Sequence, residues 1–335
     1  MNETHALLTI IVIEAESWGM RNRTTPRTLL AAGAAALALT GLTACGDDNA
    51  SSASAGKLDV VAAFYPLQFV AERVGSDAVT VTNLVKPGAE PHDLELNPDQ
   101  VAQLADAKFV VYLKGFQPAV DEAVDQQASD KALDVTTAVP LIDLAEHAHE
   151  GEEGEEEHEE AAGGKDPHVW LDPTRLATIS DAVAKRLGET DPDHAADYTA
   201  RAATLRSDLE KLDKEYADGL KTCQRREIVT SHSAFGYLAD RYKLEQIGIT
   251  GLTPEDEPSP QRLAAVADEA REHKATTIFF ETLVSPKVAD TIAKEVGAQT
   301  AVLDPLEGLQ QGSTDDYFSV MRKNLTTLRT ALGCT

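Results

Sequence analysis

The stretch DHAADYTARAATLRSDLEKLDKEYADGL, residues 193–220, carries the longest helical pattern in the chain. Its large apolar side chains recur three or four positions apart and fall on one stripe of a helix: Leu205, Leu209, Leu212 and Tyr216. At about 1.5 Å per residue, a helix of this length spans about 40 Å, roughly the diameter of a domain. We therefore predict a rigid spine helix over residues 193–222 that joins two lobes.

Short apolar runs alternate with helical patterns on both sides of this spine. The candidate strands cover residues 58–64, 79–85, 109–113 and 133–135 before it, and 227–230, 245–249, 276–281 and 298–303 after it. Such alternation is typical of a parallel sheet with crossover helices. The sequence thus predicts an α/β fold of two lobes, residues 58–192 and 223–335, each a mainly parallel sheet flanked by helices.

The N-terminal region has the features of an export signal. Arg21, Arg23 and Arg27 precede an apolar run over residues 29–42, which is short for a membrane span. The run leads into Leu-Thr-Ala-Cys, which looks like a bacterial lipobox with cleavage before Cys45 and lipid on its sulfur.

We therefore assign residues 1–45 to a signal region, of which residues 1–19 precede Met20 and are a wrongly assigned start. Residues 46–57 are rich in Gly, Ser and Ala and are predicted to form a flexible tether. Lipid on Cys45 would hold the body on the outside of the cell membrane without a transmembrane helix.

Charge restricts the classes of partner. The chain has 30 Lys and Arg against 56 Asp and Glu, a net charge of −26, which argues against nucleic-acid binding. Part of the excess lies in residues 146–160, EHAHEGEEGEEEHEE, which have no hydrophobic period and are not expected to fold alone. This loop is a solvated charge run whose histidines and carboxylates would also attract cations weakly, and we expect it to be dispensable for any tight binding site in the folded lobes.

Two cysteines remain beyond Cys45. Cys223 follows the spine helix and Cys334 is next to the C-terminus. Export places both in a compartment where disulfides persist, so we predict that they pair and fasten the C-terminal tail to the second lobe.

Three of the nine histidines lie in loops that border predicted strands in both lobes. The segments are KPGAEPHDLE with His92, DPHVWLDP with His168 and SHSAFGYL with His232. Ligands of open parallel sheets bind beyond the carboxyl ends of the strands, and three neutral imidazoles make a good zinc site. We predict that His92, His168 and His232 meet at one metal.

These segments, together with ETLVSP at residues 281–286, resemble the signature segments of the zinc/manganese solute-binding lipoproteins of ABC importers, and of their zinc branch in particular. The resemblance runs from about residue 58 to the C-terminus. It implies two lobes joined by one long helix, a single metal held in the cleft by three histidines and a carboxylate, and a membrane permease as partner. The body is expected to act as a monomer.

The fourth ligand is open at this point. Glu281 is the last residue of a predicted strand and is our choice, with Asp304, Glu90 or a water molecule as alternatives. Glu281 could instead orient a histidine from behind, a role in which we also expect Asp172 and Asp304.

His232 bears on the choice of metal. The resemblance implies that manganese carriers have a carboxylate at this position, and three imidazoles favour Zn²⁺ over the harder Mn²⁺.

Three other functions remain as alternatives: a manganese carrier, a metal-dependent surface adhesin, and a secreted zinc hydrolase with an open coordination position. The sequence has no His-Glu-x-x-His, no Gly-x-Ser-x-Gly and no P-loop motif, which argues against the common hydrolases and nucleotide enzymes. We therefore expect a carrier and not an enzyme.

Overall fold

The structure, a computed structural model, describes residues 56–143 and 164–335. The predicted signal region, Cys45, nearly all of the tether and the acidic loop of residues 146–160 lie outside the described residues. Within the described part, no helix is both long enough and apolar enough to cross a membrane.

The N-terminal lobe is a sheet of four parallel strands in the order β2-β1-β3-β4. The strands are β1 Leu58–Ala62, β2 Val79–Asn83, β3 Phe109–Tyr112 and β4 Ala132–Asp134. The crossover helices are α1 Tyr65–Gly75, α2 Pro98–Asp106 and α3 Pro118–Gln127. All three carry a proline at the start of the helix, where the missing N–H leaves no bond unmade, and Asn97 adds a capping box to α2.

Two long helices follow. The spine helix α5 runs over Ala195–Gly219 and buries the predicted leucines and Tyr216 on one stripe. It is preceded by a short 3₁₀ turn, so it begins two residues later than predicted. A further helix, α4 Pro173–Thr190, was not predicted from the sequence and packs along α5.

The C-terminal lobe repeats the topology of the first lobe, with parallel strands in the order β6-β5-β7-β8. The strands are β5 Glu227–Thr230, β6 Glu245–Gly248, β7 Thr277–Phe280 and β8 Gln299–Val302. The helices are α6 Gly236–Tyr242, α7 Pro260–Glu272, α8 Lys287–Val296 and α9 Tyr317–Leu332. The two-lobe α/β fold predicted from the alternation of strands and helices is therefore confirmed.

One apolar core runs from the N-terminal lobe through α4 and α5 to α9 of the C-terminal lobe. Within it, the ring of Phe69 stacks on Tyr317 at 5.4 Å, and the Tyr216 hydroxyl donates to the carbonyl of Met321 at 2.6 Å. A close-packed core has low compressibility, so the lobes cannot move against the spine without repacking its side chains. The shared core therefore opposes hinge motion between the lobes.

Cys223 and Cys334 form a disulfide, as predicted, across a sequence separation of 111 residues. Beside it, the Arg225 guanidinium donates to the Ala331 carbonyl at 2.8 Å, and the N–H of Thr335 donates to Thr222 at 3.1 Å. The bond therefore fastens the end of α9 to the segment that follows α5.

Replacing both cysteines with serine is expected to destabilise the protein by about 2–5 kcal/mol, because the unfolded chain regains the conformational entropy that the cross-link removes. For a folded body of about 280 residues, that corresponds to a fall in Tm of about 3–9 °C. Thermal unfolding of the parent and of the Cys223→Ser, Cys334→Ser variant measures it. Equal Tm values under oxidising conditions would show that the disulfide does not stabilise the fold.

Candidate metal centre

His92 lies in the loop between β2 and α2, at the carboxyl end of the first sheet. Its ring meets Phe116 edge to face, with 4.6 Å between the centroids. The Glu90 carboxylate accepts from the His92 N–H at 3.2 Å, and the Gln117 side chain donates to the carbonyl of Pro91 at 3.1 Å. These contacts place a nearly buried imidazole over the strand ends.

His168 precedes α4 and is fully buried. One oxygen of Asp166 accepts from both the backbone N–H and ring Nδ1 of His168, each at 2.8 Å. Asp166 is held in turn by the hydroxyl of Tyr237, which donates to its carbonyl at 2.7 Å. With Nδ1 occupied in this way, His168 presents Nε2 to the cleft.

His232 follows β5 in the C-terminal lobe. Its Nδ1 contacts the Glu281 carboxylate at 2.9 Å, and Thr230 donates to its carbonyl at 2.7 Å. The ring is thus fixed from behind and presents Nε2 to the same point as His168.

Glu307 completes the group from the loop after β8. Its Oε1 lies 3.3, 3.0 and 3.2 Å from the Nε2 atoms of His92, His168 and His232. Candidate ligand atoms of these four buried residues all fall within 4.8 Å of one another. Among the described residues, Glu307 Oε2 is buried and finds no hydrogen-bond partner. A buried carboxylate oxygen in that state is stabilised by a cation.

The spacing suits a small tetrahedral cation. Zinc ligands lie about 2.0–2.1 Å from the ion, so the corners of the tetrahedron are about 3.3–3.4 Å apart. The three distances from Glu307 Oε1 to the imidazole nitrogens, 3.0–3.3 Å, are close to that edge. Three nitrogens and one oxygen are also a donor set that Zn²⁺ accepts.

The structure places Glu307, and not Glu281, with the three histidines. Glu281 does not join the cluster, because its carboxylate lies behind His232 on Nδ1 and accepts from Ser231 at 2.8 Å. Glu90 approaches the Nε2 of His92 only to 3.9 Å.

The two carboxylates expected behind imidazoles also have other partners. Asp304 accepts from the N–H of Leu306 at 2.8 Å and from Thr282 at 2.9 Å, and Asp172 caps α4. The residue that orients His168 is instead Asp166, two positions before it. The spacing of two residues between Asp166 and His168 was the sequence signal from which this contact could have been predicted.

Glu307 was missed because it does not end a strand. It lies five residues beyond β8, in a loop where Leu306 has a left-handed backbone with φ of 59°. The carbonyl of Pro305 accepts from the indole N–H of Trp170 at 2.7 Å, which joins this loop to the His168 segment. The segment LDPLE contains both Asp304 and Glu307, and only the turn between them decides which carboxylate faces the cleft.

The carboxylates change the proton affinities of the imidazoles. Burial alone would lower the pKa of His232, but Glu281 and Glu307 raise it well above the usual value. Burial likewise opposes protonation of His168, whose pKa is nevertheless raised by its hydrogen bonds to Asp166 and Glu307. The pKa of His92 is lowered by burial, which Glu307 only partly offsets.

Glu307 itself stays ionised. Burial would raise its pKa, but the charges of His92 and His232 hold that pKa well below the usual range. In contrast, burial and the neighbouring Glu307 raise the pKa of Glu90 to about 9. The cluster therefore offers one carboxylate anion at its centre, beside His168 and His232, whose protons a divalent cation would have to displace.

The family model described as zinc-uptake complex component A, periplasmic, matches residues 60–331. Among individual proteins, the high-affinity zinc uptake system protein ZnuA of Bacillus subtilis is 36% identical over 299 residues, which cover 86% of this chain and 93% of that protein. The zinc-binding protein AdcA of Streptococcus pyogenes serotype M3 is 38% identical over 288 residues, or 82% of this chain. This chain spans only 56% of the length of AdcA.

Solved structures show the same fold. The Zn(II)-bound ZnuA-like domain of Streptococcus pneumoniae AdcA superposes with a TM-score of 0.69 at 34% identity, over 83% of this chain and 99% of that one. The laminin-binding protein Lmb of Streptococcus agalactiae, described as bifunctional with adhesin and metal-transporting activity, superposes with a TM-score of 0.72 at 32% identity, over 82% and 99%.

Proposed function

This chain belongs to the zinc-uptake complex component A family, and on that basis we propose that it captures Zn²⁺ in the cleft between its lobes and delivers it to an ABC permease in the membrane. One observation carries the proposal. Three imidazole nitrogens from both sides of the cleft lie 3.0–3.3 Å from one buried carboxylate oxygen.

We propose His92, His168, His232 and Glu307 as the ligands, with Glu307 in the place first given to Glu281. Each lobe contributes to the group, since His92 follows β2 of the first sheet, while His232 and Glu307 follow β5 and β8 of the second. An ion held in this way is enclosed by both lobes.

Zn²⁺ suits this donor set better than Mn²⁺. Imidazole is a ligand typical of zinc, whereas manganese prefers oxygen donors and binds more weakly to a given site. Three of the four proposed donors are imidazole nitrogens, which favours a zinc carrier over a manganese carrier of the same fold.

A carrier is also favoured over a zinc hydrolase. A catalytic zinc keeps a coordination position open for water or substrate, whereas four protein ligands fill a tetrahedral shell. The four proposed ligands are all buried or nearly so, which leaves little room for a substrate beside the ion. The cargo is the metal itself.

Attachment to the membrane is part of the proposal. The lipobox at Cys45 would place the body beside a permease in the same membrane, and a relative from Streptococcus pneumoniae is named zinc-binding lipoprotein AdcA. In this arrangement the lipid keeps the carrier near its partner while the body acts as a monomer.

The test is a competitive titration of the metal-stripped protein with Zn²⁺ and Mn²⁺ against a chelator of known affinity. We expect one tight zinc equivalent per chain that excess manganese does not displace. His168→Ala should lose this site, whereas His194→Ala, which removes a partly exposed histidine outside the cluster, should keep it. A preference for manganese would indicate a manganese carrier, and the absence of any tight site would refute the carrier function.

A further inference from the structure

Two of the three clustered imidazoles have a carboxylate behind them. Asp166 contacts Nδ1 of His168 at 2.8 Å, and Glu281 contacts Nδ1 of His232 at 2.9 Å. Among the described residues, Nδ1 of His92 has no such partner. The cleft is therefore built from two imidazoles oriented by carboxylates and one held by packing and its backbone.

Glu281 is as buried as the cluster itself, with only 3% of its surface exposed. A single oxygen, Oε1, accepts from the Ser231 hydroxyl at 2.8 Å and lies 2.9 Å from Nδ1 of His232. Burying a carboxylate is costly unless its partners compensate, so this placement requires a reason beyond packing.

The contact determines how His232 can bind a metal. A carboxylate at Nδ1 requires a proton on that nitrogen, so Nε2, which faces Glu307 Oε1 at 3.2 Å, is the nitrogen left to bind a metal. The contact with Glu281 also limits rotation of the ring and makes the imidazole a more basic metal ligand. Without it, neither the tautomer nor the ring orientation of His232 is set.

We propose that Glu281 is a positioning residue for zinc capture: it holds His232 with Nδ1–H towards the protein and Nε2 towards the ion. The proposal rests on the proposed function, because it assumes that zinc binds at the cluster. Glu281 contributes no bond to the metal and acts through His232 alone.

Three substitutions separate its possible contributions. Glu281→Gln keeps one oxygen that can accept from both Ser231 and Nδ1–H, so it removes mainly the charge. Glu281→Ala removes charge and acceptor together. Ser231→Ala keeps the carboxylate on His232 and removes only the second donor. Asp172→Asn is the matched control, since Asp172 is also a buried carboxylate but caps α4 at Thr174.

Zinc affinity is measured by chelator competition on the purified variants, with Tm of the metal-free proteins recorded alongside. Glu281→Gln and Glu281→Ala are expected to bind zinc about 10–100-fold more weakly than the parent, as is usual when a carboxylate behind a metal-bound histidine is lost. Ser231→Ala should change affinity less. Asp172→Asn should lower Tm and leave zinc affinity unchanged.

A second readout reports on the imidazole directly. In the zinc complex of the parent, long-range ¹H–¹⁵N NMR should show His232 protonated at Nδ1 and bound through Nε2. In Glu281→Ala this Nδ1 proton should exchange faster with water. Binding of zinc through Nδ1 in the parent would overturn the proposal, which requires Nδ1–H towards Glu281 and Nε2 towards the ion. A merely structural role for Glu281 makes no such requirement.

The parent and His232→Ala are titrated in the same series. If the parent has no tight zinc site, the proposed function fails. If the parent binds tightly and His232→Ala does not, but Glu281→Gln and Glu281→Ala equal the parent, zinc capture stands and the positioning role of Glu281 is refuted.

Discussion

Replacing Glu307 with alanine is expected to weaken zinc binding by on the order of 10²–10³-fold. Four-ligand protein zinc sites bind with about 10–16 kcal/mol, so one ligand is worth roughly 2.5–4 kcal/mol if the total is shared evenly. Glu307 is the only anion among the proposed ligands, and its Oε1 lies within 3.3 Å of all three imidazole nitrogens. Loss of Glu307 removes both an oxygen ligand and the negative charge that balances the cation.

Chelator competition measures the effect, with Glu257→Ala, the removal of an exposed carboxylate, as the control. Glu307→Gln should also bind poorly, because the amide keeps an oxygen but not the negative charge. If Glu307→Ala binds zinc as tightly as the parent while Glu281→Ala loses the site altogether, the original choice of Glu281 as the ligand was right.

Zinc affinity is also expected to fall steeply on acidification. The pKa values of His168 and His232 are raised, so these imidazoles hold their protons at pH values where free imidazole has lost them. Zinc binds only the deprotonated ring, and therefore affinity is complete above the raised pKa values and is lost as the pH falls through them. Two displaced protons give a dependence of up to about 100-fold per pH unit.

The titration should be run from about pH 5.5 to about pH 8.5, on both sides of the ordinary histidine pKa. Calorimetry in buffers of different ionisation enthalpy counts the protons released. Glu307→Ala should begin to lose affinity at a lower pH than the parent, because Glu307 is one of the groups that raise both pKa values. A flat profile in the parent would mean that zinc does not displace protons from these histidines.

Much of the fold was determined by local sequence patterns. The stripe of Leu205, Leu209, Leu212 and Tyr216 predicts a long helix because side chains three and four apart share a helix face, and all four are buried in α5. α4 was not predicted, although Leu176, Ile179, Val183 and Leu187 fall on one helical stripe that is buried in the structure. Its buried face is defined by packing against α5.

The sequence by itself also identified the three histidines that meet in the cleft. His92 and His232 lie in loops that follow parallel strands, where topology brings loops together, whereas His168 precedes α4. Which carboxylate faces the cleft was decided only by the tertiary structure. Glu281 and Glu307 both come after strands of the C-terminal lobe. Their sequence positions do not show that Glu281 contacts Nδ1 of His232 while Glu307 faces its Nε2. The left-handed turn at Leu306 and the bond from Trp170 to Pro305 direct Glu307 into the cleft, and these contacts exist only once the lobes have packed.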